Sequence, residues 1–130
     1  MRMFRAVLVA ILALASASYA GAAPGNCGSG PMLTTFAGET LTVSSTALGF
    51  TSTVAYPPGV QPAILAVCNV RGDVLSATDT GVVPTSSVGA QWAVGSTFSV
   101  CGVNNVKRWR GIRVTNDVTL YCEYSREGDQ

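Results

Sequence analysis

The stretch Val118-Thr119-Leu120-Tyr121-Cys122-Glu123-Tyr124 decides the fold. Every second residue is apolar, so Val118, Leu120, Cys122 and Tyr124 share one face, while Thr119, Tyr121 and Glu123 share the other. A period of two marks a strand with one buried and one solvated face. Residues 63–70 (AILAVCNV) complement it. Nearly every position there is apolar, which predicts a central strand covered on both faces.

Working outward, β-branched residues recur in short runs bounded by turn formers. Residues 40–45 (TLTVSS) alternate, with Leu41 and Val43 on one side, and residues 48–55 (LGFTSTVA) form a second run that stops at Tyr56-Pro57-Pro58-Gly59. Arg71-Gly72-Asp73 makes a tight turn into a strand at 74–78. Residues 79–95 contain Gly81, Pro84, Gly89 and Gly95 and read as a long loop with two turns. Strands are predicted at 97–101 and 109–114, the latter entered by a helical turn at 105–108. Beyond the first twenty residues no segment keeps an apolar stripe at helical spacing. The expectation is an all-β chain, a single antiparallel β-sandwich of about seven strands, Greek-key or jelly-roll-like, spanning residues 39–125. A Gly-, Pro- and Ala-rich extended arm (21–38) precedes it and a flexible charged tail (126–130) follows.

The chain is 130 residues long, one domain's worth, and begins with a segment of a different kind. Arg2 and Arg5 precede an apolar run at 6–15 (AVLVAILALA), and the small residues Ser18 and Ala20 follow at 16–20 (SASYA). That order is a secretory signal peptide with a cut after Ala20, or nearly as well after Ala22 or Ala23. A retained hydrophobic anchor is the other reading, and the sole route by which we expect this chain to meet a membrane. Arg2 and Arg5 leave with the signal, taking eight basic residues to six against seven acidic ones, a net charge of −1. No global positive field remains to attract nucleic acid or anionic lipid.

Cys27, Cys68, Cys101 and Cys122 all survive cleavage. An even number of cysteines in an exported domain reads as two disulfides, with three connectivities open. Cys68 and Cys122 lie mid-way along the two best strand candidates, which favours pairing them and leaves Cys27 for Cys101. The spacing is too wide for CxxC redox chemistry or a zinc ribbon.

Reactive chemistry is sparse. With no histidine, Ser-His-Asp and Cys-His nucleophile systems are absent. Glu39, Asp73, Asp79, Asp117 and Glu123 show no spacing that sets two carboxyls across a cleft. We expect no catalytic residue, no cofactor and no metal, although Asp73 and Asp79 are oxygen ligands of the type calcium requires. Arg71-Gly72-Asp73 matches the tripeptide of integrin-binding loops, yet Gly-Asp is also ordinary hairpin chemistry. Trp92, between Gly89 and Gly95, and the outward Tyr121 are candidate sugar-stacking rings, with Trp92 as a plug for one end of the sandwich as the ordinary alternative. Arg108, Trp109 and Arg110, in the basic run 107–113 (KRWRGIR), are candidates for a nucleic-acid or phosphate contact. The ordinary account of that run is a strand whose long basic side chains lie over apolar surface while Trp109 enters the core.

Residues 63–124 resemble small virion-associated proteins of tailed phages. The resemblance rests on Ala66-Val67-Cys68-Asn69-Val70, Asp79-Thr80-Gly81 with Pro84-Thr85, the spaced Gly89 and Gly95, Asn105 to Arg113, and Thr119 to Tyr124. Thr80 splits the family's Asp-Gly pair, and Val74-Leu75-Ser76 stand where it has an Arg-Tyr-Arg-like strand. The resemblance implies a non-catalytic β-sandwich that docks to protein subunits of a particle or cell surface, or to itself. The export signal implies an extracytoplasmic or virion-surface location. The competing expectation is a secreted module that binds carbohydrate or another surface polymer.

Overall fold

Strand formers and turn formers sort this chain into two antiparallel sheets. The computed structural model describes Cys27 and residues 32–128, so the expected signal segment (1–20), most of the expected arm and residues 129–130 lie outside the described residues. The strands are β1 (Leu33–Val43), β2 (Leu65–Arg71), β3 (Leu75–Thr78), β4 (Ala90–Trp92), β5 (Thr97–Cys101), β6 (Arg110–Arg113) and β7 (Val118–Glu127). Two short helices, α1 (Ser52–Ala55) and α2 (Val103–Arg108), sit between β1 and β2 and between β5 and β6. One sheet has the order β1-β7-β2-β5 and the other β4-β3-β6. The result is an open sandwich, not a closed barrel.

The pairing is nested. β1 pairs with β7, β2 with β5, and β3 with β4. Between β1 and α1, Leu48 exchanges backbone hydrogen bonds of 2.9 and 2.8 Å with Gly111 of β6, and Ser44 O accepts one from Arg113 N at 3.0 Å. First thus pairs with last, the following segment with next-to-last, and so on inward. Rolling that long hairpin then brings β7 beside β2 and β6 beside β3. This is the wiring of a jelly roll, with its second strand reduced to a single bridge.

Alternation works as read in β7. Val118, Leu120, Cys122 and Tyr124 are buried, while Tyr121 and Glu123 are exposed. β2 is central as expected, but its outward Leu65, Val67 and Asn69 are only half-buried, so one face has no full second layer. Three other readings are corrected. Residues 48–55 are not a strand: Leu48 pairs with Gly111 as an isolated bridge, β6 begins one residue before Gly111 and leaves Phe50 no strand residue to face, and Thr51 O accepts hydrogen bonds from Val54 N and Ala55 N to open α1. The loop at 79–95 contains β4, three residues hydrogen-bonded to β3. β1 reaches back to Leu33 and β7 on to Glu127, so residues 33–38 and 126–127 belong to the sheet; a bulge at Phe36 absorbs the register shift.

The core between the sheets is aromatic at its centre. Trp109 is buried, stacks on Phe50 at 4.3 Å and faces Phe98 at 5.9 Å. Phe50 meets Tyr124 edge-on at 5.5 Å. The Cys68–Cys122 disulfide joins directly opposed residues of β2 and β7 and is wholly buried. Cys27–Cys101 clips the arm to the half-buried Cys101 of β5. Both pairings match the sequence reading, and two bridges mark an oxidising, extracytoplasmic environment. Among the described residues no helix is long and apolar enough to cross a membrane.

Candidate functional surfaces

Glu39, Asp73 and Asp117 are engaged in holding the fold. Glu39 accepts a hydrogen bond from the Tyr124 phenol and another from Thr51 N at 3.0 Å, tying β1 to β7 and to the start of α1. Burial first, and then the bond to Glu39 and its charge, push the Tyr124 phenol far above its ordinary value. Asp117 pairs with Arg113 across the β6–β7 turn. Asp79 is half-buried at the start of the connection after β3. Among the described residues, no three potential metal-ligating side chains cluster.

Asp73 answers the question raised by Arg71-Gly72-Asp73. One carboxylate oxygen accepts from Val74 N at 2.7 Å and the other from Asn116 N at 2.6 Å. These two backbone donors hold its carboxyl below the usual 3.8. Arg71 turns away, donating to Asn69 Oδ1 at 3.0 Å. The Asp joins the β2–β3 and β6–β7 turns, and a carboxylate so engaged on both oxygens is not displayed for a partner. Sequence reading missed this role because Asn116 is 43 residues away.

The basic run divides between core and surface. Trp109 lies inside, beyond reach of an external ligand. Arg108 is exposed at the end of α2 and bonds Asn104 O at 3.3 Å and Asn105 Oδ1 at 3.1 Å, while Arg110 curls onto the carbonyls of Lys107 and Trp109. Lys107 and Arg108 occupy the last turn of α2, where the unpaired helix carbonyls favour positive charge. Lys107 sits 5.8 Å from the Tyr56 ring centroid, and a Cβ on Gly81 would lie 3.6 Å from the Arg108 side chain. Loop 79–89 therefore packs against this cationic end. Beside Gly81, Val82 and Val83 stand 55% and 65% exposed. Sequence reading missed these valines because a loop of small residues carries no period to say which side chains face out.

Trp92 and Tyr121 do not form one platform. Trp92, on the edge strand β4, is half-buried and its ring packs on Phe98 at 5.2 Å, as the plug reading requires. Tyr121 is 43% exposed on the outer face of the other sheet. Its hydroxyl donates a long hydrogen bond of 3.4 Å to Glu123, and the Arg71 guanidinium lies 5.9 Å from its ring centroid. A shallow open recess of about 400 Å³ lies elsewhere, lined by Ser45, Thr85, Ser86, Thr115 and residues 112–114, with no carboxylate on its wall.

Comparison with known proteins finds no matching family model, no matching curated protein and no matching solved structure.

Proposed function

We propose that this is an exported, non-catalytic surface protein that works by protein–protein docking, in the manner of a virion decoration subunit. The observation that carries it is the end of the sandwich where α2 and loop 79–89 meet. There Val82 and Val83, next in sequence to the Gly81 that lies against Arg108, expose aliphatic area, and neither Lys107 nor Arg108 makes an ion pair among the described residues. Contiguous exposed apolar surface with a polar rim is the usual mark of a protein contact. The jelly roll supports the reading by analogy alone, since capsid proteins and lectins share it. The resemblance to phage virion-associated proteins points the same way.

The partner we assign first is a second copy of the chain. Sedimentation equilibrium of the disulfide-intact protein should show concentration-dependent association that Val82→Asp with Val83→Asp abolishes. Persistent monomer at high concentration, or association untouched by the double substitution, contradicts the assignment. The second reading, carbohydrate binding, draws on a different face, that of Tyr121.

A further inference from the structure

We propose that the outer face of the β1-β7-β2-β5 sheet is a binding platform for an uncharged pyranose chain, with Tyr121 as its stacking ring and Arg71, Asn69 and Glu123 as its hydrogen-bonding flank. It stands on a different face from the docking end and survives or fails independently of it.

Tyr121 is an exposed aromatic on β7, an interior strand whose backbone is paired on both sides. Its position is therefore rigid. Across β1 lies Gly38, and a Cβ added there would come 3.9 Å from the Tyr121 hydroxyl. The phenol thus reaches toward the neighbouring strand. A pyranose is the ligand that matches such a ring, because its C–H face is apolar and its rim is hydroxylated.

The flank selects against charge. The Arg71 guanidinium lies over one face of the ring, 5.9 Å from its centroid, and Glu123 touches its hydroxyl, so a donor-only cation and an acceptor-only anion bracket the site with no net charge and the opposite ring face is the one left for stacking. A phosphate or carboxylate would be drawn to Arg71 and repelled by Glu123. Vicinal hydroxyls, which donate and accept, use both. The flank is also preorganised: Arg71 Nε bonds Asn69 Oδ1 at 3.0 Å, and Asn69 Nδ2 reaches Ser96 O at 3.3 Å and Thr97 Oγ1 at 3.4 Å.

Register extends the site. Thr40, Tyr121, Asn69 and Thr97 are opposed across the four strands in one row. At about 4.8 Å between strands, that row runs roughly 14 Å. An extended oligosaccharide fits a row better than a free monosaccharide does.

The test is an amide NMR titration of the disulfide-intact protein with hexamers of cellulose, chitin and xylan, and with hexagalacturonate as the charged comparison. At least one neutral hexamer should give saturable shifts centred on Tyr121, Asn69, Arg71 and Glu123. Tyr121→Ala should weaken it by about fivefold or more, whereas Tyr121→Phe keeps the ring and most of the affinity. Arg71→Ala and Glu123→Gln, both at exposed positions, carry the same test should Tyr121→Ala fail to fold. The proposal is overturned if no neutral hexamer shifts these residues, if the substitutions leave binding intact, or if hexagalacturonate binds tighter.

Discussion

The buried phenol of Tyr124 on β7 donates a hydrogen bond to the Glu39 carboxylate on β1, and the same Glu39 oxygen receives Thr51 N. One acceptor thereby joins the two longest strands and fixes the start of α1. Removing either partner strands a polar group in a partly desolvated place, at a cost of about 1–3 kcal/mol.

Tyr124→Phe and Glu39→Ala should each lower the free energy of unfolding by that amount in urea denaturation. Glu39→Gln, which keeps a carbonyl oxygen, should cost less than either. The phenol's raised proton affinity adds a pH signature. Folding disfavours its ionised form, so the stability it supplies is whole below the ordinary value of 10.0 and declines as pH rises beyond it. Ultraviolet titration should show Tyr124 ionising only as the protein unfolds; ionisation near 10 in the folded state contradicts the assignment.

Asp73 has the opposite sign. Its folded carboxyl is held below 3.8 by two backbone donors, so its contribution is present above that value and is lost as acid protonates it. Asp73→Asn should therefore lower the urea midpoint at pH 7, and the gap to the parent protein should narrow as pH falls below 3.8. A gap that is constant with pH shows that the carboxylate charge has no part in joining the two turns.

The disulfides should separate by accessibility. Cys68 and Cys122 are wholly buried, while Cys27 and Cys101 are half-buried. Mild reductant under native conditions followed by alkylation and mass mapping should label Cys27 and Cys101 first. With sequence separations of 54 and 74, chain-entropy arithmetic assigns each bridge about 4 kcal/mol. Labelling of Cys68 first contradicts the described packing.

Gly111 is where the core tolerates no side chain. A Cβ there would lie 2.6 Å from the Trp109 ring and 3.0 Å from Leu75. Gly111→Ala should destabilise by about 1–3 kcal/mol through overpacking, and Trp109→Ala by about 3–5 kcal/mol through the cavity it leaves. Trp109 fluorescence should shift to longer wavelength in Gly111→Ala if the ring is displaced.

Much of the sandwich is legible in the sequence because its period is two and one face is buried. β5 falls at residues 97–101 as read, and β7 carries its alternation intact through Tyr124. The misreadings have local causes. Leu48 and Phe50 imitate a strand, but only Leu48 finds a partner, and Phe50 turns in to stack on Trp109. β4 is an Ala-Gln-Trp triplet with no β-branched residue and no length. The first half of β1 hides behind a bulge at Phe36 and a glycine at 38. At the surface, the outward face of Tyr121 follows from alternation, whereas the inward turn of Trp92 depends on Phe98, which belongs to the opposite sheet. Pairings made across sheets leave no periodic trace.

The most direct measurement is the intact mass of the purified mature protein before and after reduction. Export as a two-bridge sandwich predicts a mass that lacks the first twenty residues, or up to three more, and that gains four hydrogens on reduction. A full-length mass with four alkylatable thiols in the native protein would contradict it.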